Sequence, residues 1–269
     1  MKYIKNTAAD LKTLFEERIT ADSVAEQFAV WDASLPATEA RTELARLEFD
    51  IVGVGVGPTI AGYARREEID TGLLGDHVRP LSEMSSISAD AGLRHAVEKV
   101  FAEQRVIVQS AEGPLGIITR GDMNKAPVRM WLFSLVTLLE MQMLRVIRRI
   151  PHAETFCQTQ LPPSRLAGAL KTFDDRMKNR SETDLLDCLH FGDKVTLLER
   201  ISRNQSNARQ VGIDFSPSDI ASLRMIEKLR NEVAHGNDLL LVHAQRNLPD
   251  CAQRTERLLE TLEKAGRVK

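Results

Sequence analysis

The stretch 105-RVIVQSAEGPLGIITRGDM-123 decides the fold of the first half of the chain. Two apolar runs rich in β-branched residues flank the dipeptide Gly113-Pro114, and the helix-patterned segment 89-ADAGLRHAVEKVFAEQ-104 comes directly before them. Apolar runs of this length on either side of a turn dipeptide predict a β-hairpin, and the apolar spacing of the preceding segment predicts a helix. The stretch therefore predicts one unit of helix, strand, turn and strand.

The same order of elements occurs earlier in the chain. The segment 38-TEARTELARLEF-49 has helical spacing, and 50-DIVGVGVGPTIAGYA-64 contains two apolar runs around Gly57-Pro58. The two Gly-Pro dipeptides are 56 residues apart. A supersecondary unit that recurs in this way indicates an internal duplication. We therefore predict a tandem pair of α/β units over residues 1–125, with units at about 8–72 and 73–125.

The glycines of 53-GVGVG-57 suggest a dinucleotide-binding fingerprint, which requires a helix directly after the glycines. Gly57-Pro58 instead predicts a turn into another strand, so we assign these glycines to a packed strand and its turn.

From residue 126 onward the strand signals largely disappear. Helical patterns predict five helices, at about 128–149, 164–178, 183–201, 216–234 and 248–265. The fold class is therefore α+β: an N-terminal α/β pair followed by an all-α helical bundle over residues 126–269. The polar segment 203–215 between two helices carries two arginines and is predicted to be a loop, either facing solvent or contacting RNA.

Composition narrows the class of protein. The formal net charge is -6 up to Ala126 and +4 from Pro127 onward, so only the second half has a slight basic excess. Three cysteines without paired spacing argue against disulfides and zinc, and we expect no metal site. The apolar run 130–144 is short for a membrane span and carries Glu140, which favours a core helix. A soluble, cytoplasmic protein without membrane association is expected.

The end of the second repeat resembles the end of a CBS domain. In that family a glycine, two apolar residues and Thr or Ser are followed by an aspartate, and the matching residues here are Gly116, Ile117, Ile118, Thr119 and Asp122. The resemblance implies that an adenine nucleotide (AMP, ADP or ATP) binds as a regulatory ligand. Thr119 and Asp122 would then contact ribose or phosphate, and Ile87 and Val108 would pack on the adenine. Capping of the following helix by Thr119 and Asp122 is the open alternative.

The first repeat departs from this pattern. Arg65 stands where Thr119 stands in the second repeat, and Glu68 stands where Asp122 stands. The long arginine side chain either blocks its own pocket or reaches a phosphate held by the other one. We therefore expect one working nucleotide site, built around the second repeat.

Near the end of the chain, 228-KLRNEVAHGN-237 carries Arg230, Asn231 and His235. This stretch, late in a run of helices, resembles the Arg-x4–6-His motif of HEPN ribonucleases. The resemblance implies a homodimer that cuts RNA without a metal or other cofactor and leaves a 2′,3′-cyclic phosphate. Arg230 would stabilise the phosphorane, His235 would transfer a proton, and Asn231 would position the phosphate or the histidine.

Helix geometry constrains this site. Five residues of an unbroken helix turn by about 500°, which leaves Arg230 and His235 about 140° apart. They converge if the helix ends near Ala234, or if two subunits supply facing copies. A surface role for both residues, with Arg230 paired to a nearby glutamate, is the plain alternative.

The sequence thus predicts a nucleotide-regulated, metal-independent endoribonuclease, with DNA not expected as a substrate. By resemblance alone, a role in growth arrest or antiviral defence is implied. The long helix beginning near Val128 would couple the halves. The alternative is a non-catalytic dimeric module that binds a nucleotide and docks a partner protein; whether the chain is an enzyme stays open at this point.

Overall fold

The structure, a computed structural model, describes residues 7–57, 59–179, 182–239 and 248–265. The chain forms two compact units, one from Phe15 to Pro127 and one from Val128 onward that also includes the residues up to Leu14. The α+β class is confirmed. The first helix, α1 (Ala8–Thr13), was expected to lie with the α/β repeats but packs in the helical unit, where the Ala8 N–H donates to Glu263 Oε1 at 2.7 Å.

The α/β unit contains two copies of one motif. In the first copy, strand β2 (Val30–Asp32) leads through helix α2 (Ala37–Arg46) to the hairpin of β3 (Ile51–Val56) and β4 (Thr59–Arg65). The second copy runs from β5 (Ser86–Ser88) through α3 (Leu93–Glu103) to β6 (Arg105–Ser110) and β7 (Gly113–Thr119). In each copy the first strand is parallel to the second and the second is antiparallel to the third. The predicted duplication is confirmed.

The hairpin turns differ from the prediction in one respect. Val56 pairs with Thr59 in the first hairpin, around Gly57 (φ 62°), whereas Pro58 lies outside the described residues. In the second hairpin Ser110 pairs with Gly113, so the turn consists of residues 111 and 112. Gly113-Pro114 therefore begins a strand instead of forming the turn. As predicted, a strand and not a helix follows the glycines of β3.

A strand crosses between the two copies. Strand β1 (Glu26–Gln27) precedes the first copy in sequence but pairs antiparallel with β7 of the second, which gives the sheet order β1-β7-β6-β5. The other sheet has the order β2-β3-β4. The buried side chains of Phe28, Tyr63 and Ile107 form one apolar cluster with members from both copies. The two copies therefore share a core.

Glycines allow the chain to return closely over each β-hairpin. A Cβ on Gly116 would lie 2.5 Å from the carbonyl oxygen of Glu26, and one on Gly62 would lie 2.1 Å from that of Arg79. Gly116 is the first residue of the CBS-like motif and Gly62 is its counterpart in the first copy. Gly116 is thus required because the neighbouring backbone leaves no room for a Cβ atom.

The helical unit contains seven longer helices among the described residues after 125, together with α1. They are α4 (Ala126–Ile147), α5 (Ala153–Gln160), α6 (Pro163–Lys178), α7 (Phe191–Arg203), α8 (Gln205–Val211), α9 (Pro217–His235) and α10 (Leu248–Ala265). α9 packs against both α7 and α10. Shorter 3-10 segments occur at Ala21–Ser23, Arg66–Glu68, Leu74–His77, Leu81–Glu83, Arg120–Asn124 and Leu185–Cys188, and Leu14–Arg18 forms a π-helical turn.

Three helix predictions need correction. Helix α5 was not predicted at all. The helix expected over 183–201 is divided, because the Asp193 carboxylate accepts from the His190 N–H and starts α7 at Phe191. The predicted loop 203–215 contains α8, which the Asn204 side chain caps at its N-terminus and Gly212 (φ 75°) ends.

Helix α4 is long and apolar enough to cross a membrane by length and composition, yet 56% of its apolar window is buried inside the protein. Its Glu140 carboxylate accepts from the Lys194 ammonium at 2.7 Å, and that buried ammonium also donates to the Leu189 carbonyl at 2.9 Å. An ion pair with another helix of the unit marks α4 as a core helix. The three cysteines are free and buried, and burial, with the nearby charges of Asp193 and Glu154, raises the pKa of Cys157 to about 11.

We expect Glu140→Gln to destabilise the protein by about 3 kcal/mol, because it leaves the Lys194 charge buried without its counter-ion. The measurement is urea denaturation followed by circular dichroism. Glu43→Gln is the matched control: it breaks a surface pair with Arg46 whose side chains are 43% and 67% exposed, and should cost under about 1 kcal/mol. Equal losses for the two variants would contradict a structural role for the buried pair.

Candidate functional site

Two cavities open in the α/β unit, one beside each motif tail. Cavity A, about 570 Å³, lies beside the tail of the first copy and cavity B, about 490 Å³, beside that of the second. Their sizes are those of small-molecule sites. Asp50, Gln104 and Arg105 line both cavities.

Cavity B holds the residues that the motif predicted. Thr119 and Asp122 line it together with the apolar side chains of Phe28, Ile51 and Ile117. Its wall also includes Glu26 and Gln27 of β1, the strand that crosses to the second sheet. The cavity is therefore built by both copies of the motif.

Thr119 and Asp122 form a capping box at the start of the 3-10 turn Arg120–Asn124. Asp122 Oδ2 accepts from the Thr119 N–H at 2.7 Å and from its hydroxyl at 3.0 Å, and Oδ1 accepts from Lys125 Nζ at 2.8 Å. Burial acts against the charged Lys125, but its hydrogen bonds to Asp122 and Glu26 outweigh that effect and raise its pKa. The capping alternative is thus realised in this structure. A carboxylate accepts about four hydrogen bonds, so Asp122 keeps capacity for one more.

The structure places Ile87 and Val108 elsewhere. The two residues are register partners across β5 and β6, both are buried, and neither lines cavity A or cavity B. That they pack on an adenine stays a prediction; the apolar side chains that line cavity B are those of Phe28, Ile51 and Ile117. In β6 the apolar residues Val106, Ile107 and Val108 follow one another, so the sequence does not show which face of that strand is turned to a cavity.

Arg105 is the residue that the sequence analysis missed. It begins β6, is half-buried, and lies opposite Thr119 in the β6–β7 register. Its guanidinium makes no hydrogen bond or ion pair with any residue that the structure describes. Among nearby charges, Arg66 pairs with Asp50 at 2.8 Å and Lys125 pairs with Glu26 at 2.8 Å. Asp50 and Glu26 thus have their own counter-ions, while Arg105 has none among the described residues.

In cavity A the position of Thr119 is taken by Arg65. Its guanidinium lies 5.9 Å from the centre of the Tyr63 ring and 3.9 Å from Glu68 Oε1, so it lines the cavity and does not fill it. Glu68, the counterpart of Asp122, accepts two hydrogen bonds from Arg79 at 2.5 and 2.6 Å. The blocking role considered for Arg65 is not seen.

The motif of the helical unit lies at the end of α9. The helix continues without a break through His235 and ends at Gly236 (φ 70°). The helix ends one residue after the predicted Ala234, with Gly236 as its cap as expected, and because it includes His235 one chain does not bring Arg230 and His235 onto one face. Asn231 and His235 are exposed, and Arg230 donates to Asn231 Oδ1 at 3.3 Å. Within the described residues no group of three or more His, Cys, Asp and Glu side chains is arranged to hold a metal.

No family model matches the chain, and no curated protein matches it. Solved structures that are similar contain CBS domains and match the N-terminal part of the chain. CBSX2 in complex with AMP is 17% identical with a TM-score of 0.36, over 42% of this chain and 98% of that one. A CBS domain-containing protein of unknown function from Bacillus anthracis is 12% identical with a TM-score of 0.35, over 42% and 94%. A hemolysin-like protein containing a CBS domain, from Oenococcus oeni, is 18% identical with a TM-score of 0.33, over 44% and 95%.

We expect Gly116→Ala to lower the stability by about 1–3 kcal/mol, because the new methyl group displaces β1 from β7. Urea denaturation measures the loss. Gly121→Ala is the control: it also lines cavity B, but its Cβ meets only Thr119 Oγ1 at 3.6 Å, an ordinary contact. A Gly116→Ala protein as stable as this control would show that the close return of β1 is not required.

Proposed function

We propose that residues 15–127 form a CBS domain pair that senses an adenine nucleotide bound in cavity B. The observation that carries the proposal is Arg105, a half-buried guanidinium without a partner among the described residues, placed beside Thr119 at the wall of a cavity of small-molecule size. A guanidinium presents a planar set of donors that matches phosphate oxygens, and a phosphate would satisfy it.

The other walls of cavity B suit the remaining parts of a nucleotide. Phe28, Ile51 and Ile117 offer apolar contacts for a purine ring. Asp122 can accept one further hydrogen bond, which fits a ribose hydroxyl. Arg120, whose guanidinium already donates to the Phe101 carbonyl at 3.2 Å, is a second cation at the wall. Thr119, Asp122 and Arg105 are therefore the residues that we assign to the ligand.

Isothermal titration with AMP, ADP and ATP tests this site. We expect the wild-type protein to bind at least one of them, and Arg105→Ala to weaken that affinity by at least about tenfold, because a charge-assisted hydrogen bond contributes about 1.5–3 kcal/mol. Arg46→Ala is the control, since Arg46 pairs with Glu43 on the surface of α2. Equal affinity of wild type and Arg105→Ala would remove Arg105 from the site, and absence of binding in the wild type would overturn the proposal.

We propose as a second candidate that the helical unit is a metal-independent endoribonuclease of the HEPN type. The observation in its favour is that Asn231 and His235 are solvent-exposed next to Arg230 on the last two turns of one helix. Because these turns do not converge within one chain, the site would need a homodimer that brings two copies together. The substrate would be RNA and not DNA, since the attacking group is a 2′-hydroxyl.

Cleavage of a mixed RNA pool in EDTA tests the second candidate. We expect metal-independent cleavage, 2′,3′-cyclic phosphate ends, and a loss of about 10²–10⁴-fold on His235→Ala, the range for removal of a general acid or base. His95→Ala is the control, because His95 is an exposed helical histidine of the α/β unit. Cleavage unchanged in His235→Ala would point to a contaminating nuclease.

If no RNA is cut, the alternative gains support: a dimeric, cytoplasmic sensor whose helical unit docks a partner protein. A role in growth arrest or antiviral defence belongs to the nuclease candidate alone. In either case, a change in the activity or stability of the helical unit on addition of the nucleotide would indicate that α4 couples the two units. Adding the nucleotide to the RNA assay distinguishes activation from inhibition of cleavage. Adding it during thermal unfolding of the whole chain shows whether the nucleotide stabilises the protein.

A further inference from the structure

Helix α4 exposes an apolar stripe that the core does not use. Met130, Phe133 and Met141 lie on one face of the helix and are 56%, 48% and 51% exposed. Large apolar side chains scattered singly are ordinary, but three on one helix face are a group of the kind that marks an interaction surface. We call this face, from Met130 to Leu144, the α4 stripe.

The α4 stripe is symmetric about its centre. Phe133 and Met141 lie four residues on either side of Thr137, and Met130 and Leu144 lie seven residues on either side. A two-fold interface requires a surface that is complementary to itself, with residue i facing residue j and residue j facing residue i. If two α4 helices pair antiparallel across Thr137, each apolar residue meets an apolar residue of the other copy.

A groove beside the α4 stripe provides the space for this contact. It has a volume of about 270 Å³ and lies between α1 and α4, and its lining residues are Thr7, Asp10, Leu11, Phe133, Ser134, Thr137, Leu138 and Met141. In the antiparallel arrangement the partner's Phe133 faces Met141, at the side of this groove. A phenyl ring next to a methionine sulfur is a favourable contact. The small side chains of Ser134 and Thr137 at the centre allow close approach of the two helices.

We propose that a second copy of this chain docks on the α4 stripe as an antiparallel, two-fold related α4 helix centred on Thr137. Antiparallel helix dipoles attract, whereas parallel dipoles repel. Arg129 and Arg145 bound the stripe, which is about 21 Å long at a rise of about 1.5 Å per residue. In the antiparallel pair Arg129 of one copy lies level with Arg145 of the other, so the apolar contacts between the arginines hold the pair together. The proposal is independent of nucleotide binding.

This dimer has a consequence for the nuclease candidate. The Arg129 guanidinium, at one end of the stripe, donates to the Asn237 carbonyl just beyond α9. In an antiparallel pair the two Arg129 positions are separated by about 24 Å along the helix axis, given about 1.5 Å per residue. The two His235 side chains would then lie near opposite ends of the pair. A composite ribonuclease site would need a different interface.

Sedimentation equilibrium and cysteine cross-linking of the full chain test the dimer. We expect a reversible dimer that Met141→Glu weakens by at least about a hundredfold, because each copy then buries an unpaired carboxylate. Met177→Glu, which changes a methionine 52% exposed on α6, should leave the dimer intact. A circular dichroism spectrum matching wild type shows that Met141→Glu is folded, and Phe133→Glu provides an independent second variant.

Cross-linking fixes the direction of the pair. Under oxidation, Thr137→Cys should form a disulfide-linked dimer, and a mixture of Met130→Cys and Leu144→Cys proteins should form the mixed dimer. Met130→Cys alone should not, since it self-pairs only in a parallel arrangement. A chain that stays monomeric, a dimer insensitive to both glutamate variants, self-pairing of Met130→Cys, or binding of a monomer to anionic phospholipid vesicles through the stripe would each overturn the proposal.

Discussion

Neither small β-sheet of the first unit can bury its apolar face alone, and this constraint organises the whole α/β half. Phe28 and Tyr63 from the first copy and Ile107 from the second meet in one buried cluster, so each copy completes the core of the other. The close return of the chain over Gly62 and Gly116 follows from the same need, because it brings a further segment onto each hairpin. The cavities lie at the edges of this shared core, beside the ends of the hairpins.

Divergence between the two copies makes the two cavities chemically different. In the first copy Ile51 lies opposite Arg65, and at the equivalent position of the second copy Arg105 lies opposite Thr119. The arginine is therefore on the last strand of the first copy and on the middle strand of the second. Arg65 finds Tyr63 and Glu68 as neighbours, whereas Arg105 finds none among the described residues. The backbone before each position is alike: Glu48 and Gln104 both have positive φ just after the helix of their copy. One scaffold thus presents an arginine with neighbours, Arg65, in cavity A, and an arginine without a partner among the described residues, Arg105, where cavities A and B share a wall.

Most elements that depend on local patterns were predictable, with α5 and α8 as the exceptions. The β-branched runs and the capping residues at Ser216 and Gly236 identified the hairpins and the limits of α9 to within a residue or two. Positions that depend on register were not. The Gly-Pro dipeptides are 56 residues apart, but the strands β4 and β7 are offset by 54, so the dipeptides occupy different places in their hairpins.

The same limit applies to the candidate site. Thr119 and Asp122 were found because a local motif carries them, and the structure brings them together at cavity B. Ile87 and Val108 line neither cavity, and their packing on an adenine stays a prediction. Arg105 carries no signal in the sequence: only the fold shows that its neighbours leave it without a partner.

The crossing strand β1 has a consequence for the order in which the molecule forms. Glu26 pairs with Ile117, a residue 91 positions further along the chain, so the edge of the second sheet stays open until almost all of the α/β unit has been synthesised. Contacts between residues so distant in sequence carry a high loop-closure cost and slow the folding of small domains. Because β1 also forms a wall of cavity B, this cavity is completed by one of the most non-local pairings of the unit, and an isolated repeat would lack that wall.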